Sequence, residues 1–318
     1  MINFIEEAGP YGHSGESIVA CMKAGFYAVS TETICDTDGK SPDWNLHIWN
    51  NSIINCSKWS DIPLERWSDY EIPYAVSNGA RVIASVGHNE KSISGIIPVL
   101  NKTDIMAYKI VSYSAKDVIP MLKAAKELTD KPVIVKISSN WGEEAFEIAC
   151  KAQKYRADAI VAIDSVGPVY DGKLKGNDHI GWMSGECILP RALYYVHRLK
   201  EFIKIPIIGT GGVTDGISAM KMADAGADAI GICTGTILKG PEIISEIKEY
   251  LTENITDCDN KKFNLKIDRN RCKHCGECIK HCGYMAIKYT PKGCYIDETK
   301  CRHCGLCMET CPNGAVNN

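Results

Sequence analysis

The sequence predicts an α/β fold: a (β/α)8 TIM barrel over residues 1–254, a linker at 255–262 and a small cysteine-rich domain at 263–318. Three observations predict it. Eight short runs rich in Ile, Val and Ala alternate with amphipathic stretches. Glycine-rich turns follow the last two of those runs. Eight of the sixteen cysteines gather near the C-terminus in two near-copies of one spacing.

The expected strands are Ile2–Ala8, Tyr27–Thr31, Arg81–Val86, Ile105–Ser112, Val133–Ser138, Ala159–Ile163, Ile207–Gly209 and Ala229–Cys233. Continuous apolar runs of this kind suit strands buried on both faces, as in a parallel sheet. Between them, Ser114–Leu128 sets Val118, Met121, Leu122 and Ala125 at helical spacing. Trp141–Gln153, Glu186–Lys200 and Thr214–Ala225 have the same pattern. Eight strand–helix repeats over about 250 residues match a barrel; a doubly wound open sheet is the other arrangement that such alternation allows. The stretch from Glu32 to Gly79 is too long for a plain repeat. It is expected to run over the C-terminal face of the strands, where barrel active sites lie.

Gly209-Thr210-Gly211-Gly212-Val213 follows the seventh strand, and Thr234-Gly235-Thr236 follows the eighth. Backbone N–H groups bared by glycine approach phosphate oxygens closely, and loops after strands seven and eight of a barrel recurrently hold phosphate. The pair points to a phosphorylated cofactor. Neither is G-x-G-x-x-G with a distant acid, so no dinucleotide site is expected.

The cysteine runs read Cys272-x2-Cys275-x2-Cys278-x3-Cys282 and Cys301-x2-Cys304-x2-Cys307-x3-Cys311, the second followed by Pro312 and the first by Gly283. Each is the bacterial ferredoxin run for a [4Fe–4S] cluster, in which the fourth Cys serves the other cluster. Cys272, Cys275, Cys278 and Cys311 are therefore expected on one cluster, and Cys301, Cys304, Cys307 and Cys282 on the other. The fourth Cys is expected to start a short helix. Zinc does not explain the fourth Cys of each run, and disulfides do not suit a reducing cytosol.

Hydrophobic residues at 45% and charged residues at 24% fit a soluble globular protein. A net charge of −3 gives no electrostatic reason to expect nucleic acid or an anionic membrane. No apolar run approaches a membrane span, and no signal sequence is visible at the N-terminus. A cytoplasmic protein is expected.

Several segments resemble the dihydroorotate dehydrogenase superfamily of FMN enzymes. They are "IPIIGTGGVTDGISAMKMADAGADAIGICTGTIL", "KPVIVKISSN", "MSGECILPRALYYV", "EEAGPYGHSGE" and "SIIN". The resemblance covers residues 1–254. With the two clusters, the layout is most similar to the catalytic, C-terminal part of dihydropyrimidine dehydrogenase. It implies FMN held by Ala8, Gly9, Thr31, Asn55, Lys136, Ser184, Gly185, Gly211, Gly212, Thr234, Gly235 and Thr236. It implies substrate contacts at Asn55, Asp164 and Ser165. Three positions depart from the family pattern. The lysine ending strand two is Glu32. The catalytic-cysteine loop after strand four reads Ser112-Tyr113-Ser114. The asparagine after strand six is Asp164. Tyr113 is the candidate general acid, with Glu32 and Asp164 as alternative donors. His13 is expected in a turn near the flavin, His47 and His179 in active-site loops, and Trp44, Trp49 and Trp59 in packing of the long second loop.

The implied activity is an FMN and iron–sulfur oxidoreductase acting on a CH–CH or C=C bond of a small, pyrimidine-like ring. The alternatives are dihydroorotate oxidation and a non-catalytic electron-transfer subunit. With no nicotinamide-binding motif visible, a ferredoxin or a separate NAD(P)H-oxidising flavoprotein subunit is the expected electron partner, in a homo- or hetero-oligomer.

Overall fold

In β-strands side chains alternate between faces, and this decides what the interior of the first unit holds. The computed structural model describes residues 2–36, 45–175, 177–254, 265–290 and 293–317. The expected linker at 255–262 and Trp44 lie outside the described residues. The chain divides into two units, Met1–Ile255 and Thr256–Asn318. No helix among the described residues is long and apolar enough to cross a membrane.

The strands of the first unit, in chain order, are β1 (Asn3–Glu6), β2 (Ala28–Ser30), β3 (Leu46–Trp49), β4 (Ser52–Asn55), β5 (Val82–Val86), β6 (Ala107–Ile110), β7 (Val133–Ile137), β8 (Ala159–Ala162), β9 (Val166–Tyr170), β10 (Ile180–Gly185), β11 (Ile207–Thr210) and β12 (Ala229–Ile232). Eight of them close a parallel barrel in the order β1-β12-β11-β8-β7-β6-β5-β2. These are the eight strands expected from the sequence, so the open-sheet alternative falls away. Ile5, Ala28, Ile83, Ala107, Ile134, Ala159, Val161 and Ile208 pack together as an apolar cluster inside the barrel. Two residues on from Ile5, Ala107 and Ile134, the same face carries Glu7, Lys109 and Lys136. The interior therefore turns from apolar to charged toward the C-terminal ends of the strands.

The helices pack their apolar faces outside the barrel, and their ends are set by local chemistry. Ser14 caps Gly15–Ala24 by accepting from the Ser17 N–H at 3.3 Å, and Gly25 closes that helix at φ 116°. Asp215 caps Gly216–Asp224 by accepting from the Ser218 N–H at 2.8 Å. Each cap satisfies N–H groups that the first turn leaves without partners.

The region from Glu32 to Gly79 does two jobs, and only the first matches the expected excursion. β3 and β4 form a hairpin that pairs through β4 with β10, giving a four-stranded antiparallel sheet β3-β4-β10-β9. Leu64–Ser77 then winds into continuous helical turns, five residues of them π-helical, and packs on Gly15–Ala24. This stretch is a barrel helix. It is anchored by Trp67, whose indole is fully buried and donates to Ser60 Oγ at 3.1 Å.

The second unit is an internal repeat. β13 (Lys266–Ile267) pairs with β16 (Val316–Asn317), and β14 (Ile287–Thr290) pairs with β15 (Gly293–Ile296), both antiparallel. Each cysteine run bends at matching positions. His274 and His303 have φ 57° and 51°, and Gly276 and Gly305 have φ 77° and 78°. The short helices are Glu277–Lys280 and Leu306–Glu309. They contain the third Cys of each run, and the fourth follows the helix instead of starting it. Each helix begins just after the left-handed glycine and ends before the fourth Cys, which lies five residues beyond its start.

Replacing Trp67 by Ala removes a buried indole and its hydrogen bond to Ser60 Oγ. Urea denaturation is expected to show a loss of about 3–5 kcal/mol; an unchanged midpoint would mean this helix is not held by its tryptophan.

Candidate active site and candidate cluster cysteines

A cleft of about 230 Å³ opens at the C-terminal ends of the barrel strands and is partly walled by the four-stranded sheet. Its floor is the charged interior layer. Glu7 Oε2 accepts from Lys109 Nζ at 2.7 Å and lies 3.5 Å from Lys136 Nζ. Lys136 Nζ lies 3.2 Å from Asp164 Oδ1. The result is a chain of alternating charge, Lys109–Glu7–Lys136–Asp164. Burial works against the Glu7 carboxylate, but Lys109 and Lys136 outweigh it and hold its pKa below the ordinary value. Burial also works against the Lys136 ammonium, yet Asp164 and Glu7 hold its pKa above the ordinary value. Lys109 is 1% exposed, and desolvation pulls its pKa down despite Glu7. Gly231 makes room for this arrangement, since a Cβ there would lie 2.8 Å from Glu7 Cγ.

The glycine turns form part of the wall. Gly211 and Gly212 have φ 109° and 89°. A Cβ on Gly212 would fall 2.5 Å from Leu189 Cβ, and one on Gly185 would fall 2.7 Å from Asn51 O. Both positions expose bare backbone to the cleft. Thr234 starts the turn after β12 and donates to Ser184 Oγ at 2.8 Å.

Of the sequence-derived candidates, Ala8, Gly9, Glu32, Asn55, Tyr113, Lys136, Asp164, Ser165, Ser184, Gly185, Gly211, Gly212 and Thr234 line the cleft. Thr31, Gly235 and Thr236 stand behind its wall. Thr31 Oγ1 accepts from the Ser85 N–H, Thr236 donates to Glu6 Oε2 at 2.6 Å, and Gly235 packs on Val213 O. Asn55 Nδ2 donates to Trp182 O at 3.3 Å, which ties β4 to β10 at the cleft edge. Glu32 hydrogen-bonds His13 Nδ1 at 2.8 Å, and His13 also lies 3.9 Å from Asp61. Burial raises the Glu32 pKa, although the His13 hydrogen bond opposes this.

Tyr113 is 61% exposed, with its ring 4.7 Å from Trp59 and 6.0 Å from Trp182. Partial desolvation of the phenol beside these rings, with Asp164 nearby, pushes it up to about 12 although the residue as a whole is exposed. Trp59 stacks on His88 at 5.8 Å. His47 and His179 serve the four-stranded sheet, bonding Asp171 and Leu174 O; neither lines the cleft.

Glu7, Lys109 and Trp182 were not singled out by sequence. The period-two alternation from Ile5 and Ala107 was the available signal for the first two. Nothing local marks Trp182, which reaches the cleft through the register Trp182↔Asn55.

In the second unit, Cys278 lies beside Cys272 and Cys311, and Cys307 beside Cys301 and Cys304. Burial raises the Cys311 thiol, but N–H groups of Ala315, Asn313, Val316 and Gly314 outweigh it and favour the thiolate. The Ala315 N–H reaches Sγ at 3.2 Å, and the Ala286 N–H reaches Cys282 Sγ at 3.4 Å in the matching place of the other half.

Residues 82–255 match the dihydroorotate dehydrogenase family, and residues 271–315 match the 4Fe–4S dicluster domain. The chain is similar to the catalytic subunit of dihydroorotate dehydrogenase B (NAD(+)) from Pyrococcus horikoshii, at 34% identity over 45% of this chain and 50% of the relative. It is similar to the same subunit from Thermoanaerobacter pseudethanolicus, at 29% over 69% and 76%. It is also similar to dihydroorotate dehydrogenase (quinone) from Aliivibrio salmonicida, at 34% over 41% and 42%. The match thus spans half the length of the Pyrococcus relative.

Removing one member of a buried ion pair strands the other charge, which costs about 3–5 kcal/mol, while removing both is far milder. Glu7→Gln and Lys109→Met are each expected to destabilise by that amount, and the double variant by less than either, in chemical denaturation. Additive losses would mean the pair does not act as one. The sign with pH follows. The folded pKa of Glu7 lies below the ordinary glutamate value of about 4.5. Its stabilisation is therefore complete above that value and is lost as pH falls through the lower folded pKa. The double variant is expected to lose stability less steeply in that acid window.

Proposed function

We propose that this chain, which belongs to the dihydroorotate dehydrogenase family, is an FMN and iron–sulfur oxidoreductase that acts on a CH–CH or C=C bond of a small ring lacking a carboxylate. The observation that carries the reading is Lys136, buried between Glu7 and Asp164 on the floor of a glycine-walled cleft.

The residues present fit FMN. Gly211, Gly212 and Gly185 line the cleft with backbone, at positions where a Cβ would clash with the protein packed behind them, and Lys136 supplies a cation. When bound, FMN provides hydride transfer at N5 and exchanges single electrons with the clusters. Cys272, Cys275, Cys278 and Cys311 would hold one cluster, and Cys301, Cys304, Cys307 and Cys282 the other. Lys136 would stabilise negative charge that develops beside it. Tyr113 carries its phenolic proton at neutral pH as any tyrosine does, and its Oη–H is available to donate a proton to a substrate carbon. Trp59, Tyr113 and Trp182 offer aromatic faces to a flat ring, and Asn55 and Ser165 offer polar groups at its edge.

The relatives' names favour dihydroorotate as a second reading. The charges in the cleft oppose it. Lys136 is already engaged by Asp164 and Glu7, and Glu32 stands where the family carries a lysine. Two like charges at 4 Å repel by about 4 kcal/mol at an effective dielectric near 20. The raised pKa of Glu32 reduces that repulsion, but even about 1.4 kcal/mol is a tenfold loss of affinity. The names of the relatives also describe a catalytic subunit working with NAD(+). This supports an electron partner, either a ferredoxin or a flavoprotein subunit that exchanges electrons with nicotinamide.

Anaerobic reconstitution is expected to give about eight iron atoms, eight sulfides and one FMN per chain. Cys304→Ala is expected to lose one cluster and keep FMN; loss of FMN with unchanged iron would overturn the assignment of cofactors to the two units. In flavin difference spectra, orotate is expected to bind poorly and Glu32→Lys to improve it about tenfold or more. Tight orotate binding by the unaltered protein would instead restore the dihydroorotate reading.

A further inference from the structure

A carboxylate is built in beside the aromatic wall of the cleft, and the backbone fixes both. The Ser60 N–H donates to Thr33 O at 2.9 Å, which ties the loop of Trp59 to the segment that carries Glu32. On its other side the Glu32 N–H donates to Gly12 O at 2.9 Å, which sets His13 next to it. Gly12 has to be bare for this approach, since a Cβ there would lie 2.2 Å from Ser30 O. An ionised carboxylate only accepts, so His13 Nδ1–H donates to Glu32 Oε2, at 2.8 Å. Glu32 lines the cleft, and among the described residues no hydrogen bond reaches its Oε1.

Charge balances on the floor of the cleft and not at this rim. Below, Lys109 and Lys136 offset Glu7 and Asp164. At the rim Glu32 and Asp61 share one imidazole, lying 2.8 and 3.9 Å from His13 Nδ1. With that imidazole neutral, the two carboxylates outnumber Lys58, which also lines the cleft. The faces of Trp59, Tyr113 and Trp182 line the same space. Aromatic faces attract cations through their negative π-clouds, and a carboxylate accepts most strongly from a charged donor. Wall and rim therefore favour the same kind of ligand.

We propose that the ring bound in this cleft carries a positive charge on a planar nitrogen group, an amidinium or a protonated ring nitrogen, that donates to Glu32 between the aromatic faces. His13 is a positioning residue that holds the carboxylate in place. The inference names the substrate class of the function proposed above and rests on that reading.

The test uses the full chain, loaded anaerobically with FMN and iron–sulfur clusters, and three probes of one shape at neutral pH. Benzamidine is cationic, benzamide neutral and benzoate anionic. Binding is read by flavin difference spectra and by tryptophan fluorescence, so the order of affinities is measured even if FMN fails to load. Benzamidine is expected to bind about tenfold or more tighter than benzamide, with benzoate weakest. Glu32→Gln keeps the shape of the side chain and removes its charge. It is expected to bring benzamidine to within about twofold of benzamide, with iron content unchanged. His13→Ala is expected to weaken benzamidine and leave benzamide unchanged, and His13→Asn, which can return a donor to Oε2, to restore it. General disorder would weaken all three probes alike. Failure to hold FMN would sink the functional reading and leave the probe order to be judged by fluorescence. If benzamide or benzoate binds as tightly as benzamidine, or if Glu32→Gln keeps the preference for benzamidine, the proposal is wrong.

Discussion

Charges removed from water must be paired, and the barrel interior obeys this at one place on which the cleft depends. Lys109, Glu7, Lys136 and Asp164 alternate in sign across β6, β1, β7 and the end of β8. Each charge is offset by its neighbour, so a lysine can stand on the floor of the cleft without leaving the protein interior uncompensated. The arrangement also constrains its surroundings. Gly231 on β12 has to be bare to admit Glu7, and the apolar cluster of Ile5, Ile83, Ile134 and Ile208 seals the interior beneath.

Above this floor the four-stranded sheet turns an open barrel mouth into a cleft. β4 and β10 run antiparallel in the register Trp182↔Asn55 and Ser184↔Ile53. That register brings side chains from distant parts of the sequence to one rim, including Asn55, Trp182 and Ser184. Trp59 and Tyr113 come from two other loops and complete an aromatic wall. The floor thus carries fixed charge while the wall carries flat apolar faces. That division suits a cofactor whose charge changes beside a ring whose charge does not.

Much of this was legible in the sequence, for reasons that differ by element. The eight barrel strands were readable because strands buried on both faces become continuous Ile, Val and Ala runs. The two cysteine runs were readable because their spacing repeats, and the match of residues 271–315 to a 4Fe–4S dicluster domain follows that spacing. The accessory sheet was not. β3 and β9 are short, half-exposed and interrupted by His47, Gly167 and Pro168, so they lack both a continuous apolar run and clean alternation. The helix at 64–77 was hidden for a similar reason: its turns mix π and α geometry, with Pro73 inside. Glu7 and Lys109 were missed because a charge in a strand reads as an exposed position unless its parity with Ile5 and Ala107 is followed inward.

In the proposed function the buried charges hold Lys136 where it would face the flavin. The most direct measurement is the two-electron midpoint potential of FMN in the Lys136→Ala protein against the unaltered one, by anaerobic spectroelectrochemistry with iron content as the control for folding. Loss of a cation beside a group that becomes more negative on reduction is expected to lower the potential by about 30 mV or more, equivalent to about 1.4 kcal/mol. An unchanged potential, with FMN still bound and iron intact, would contradict the account.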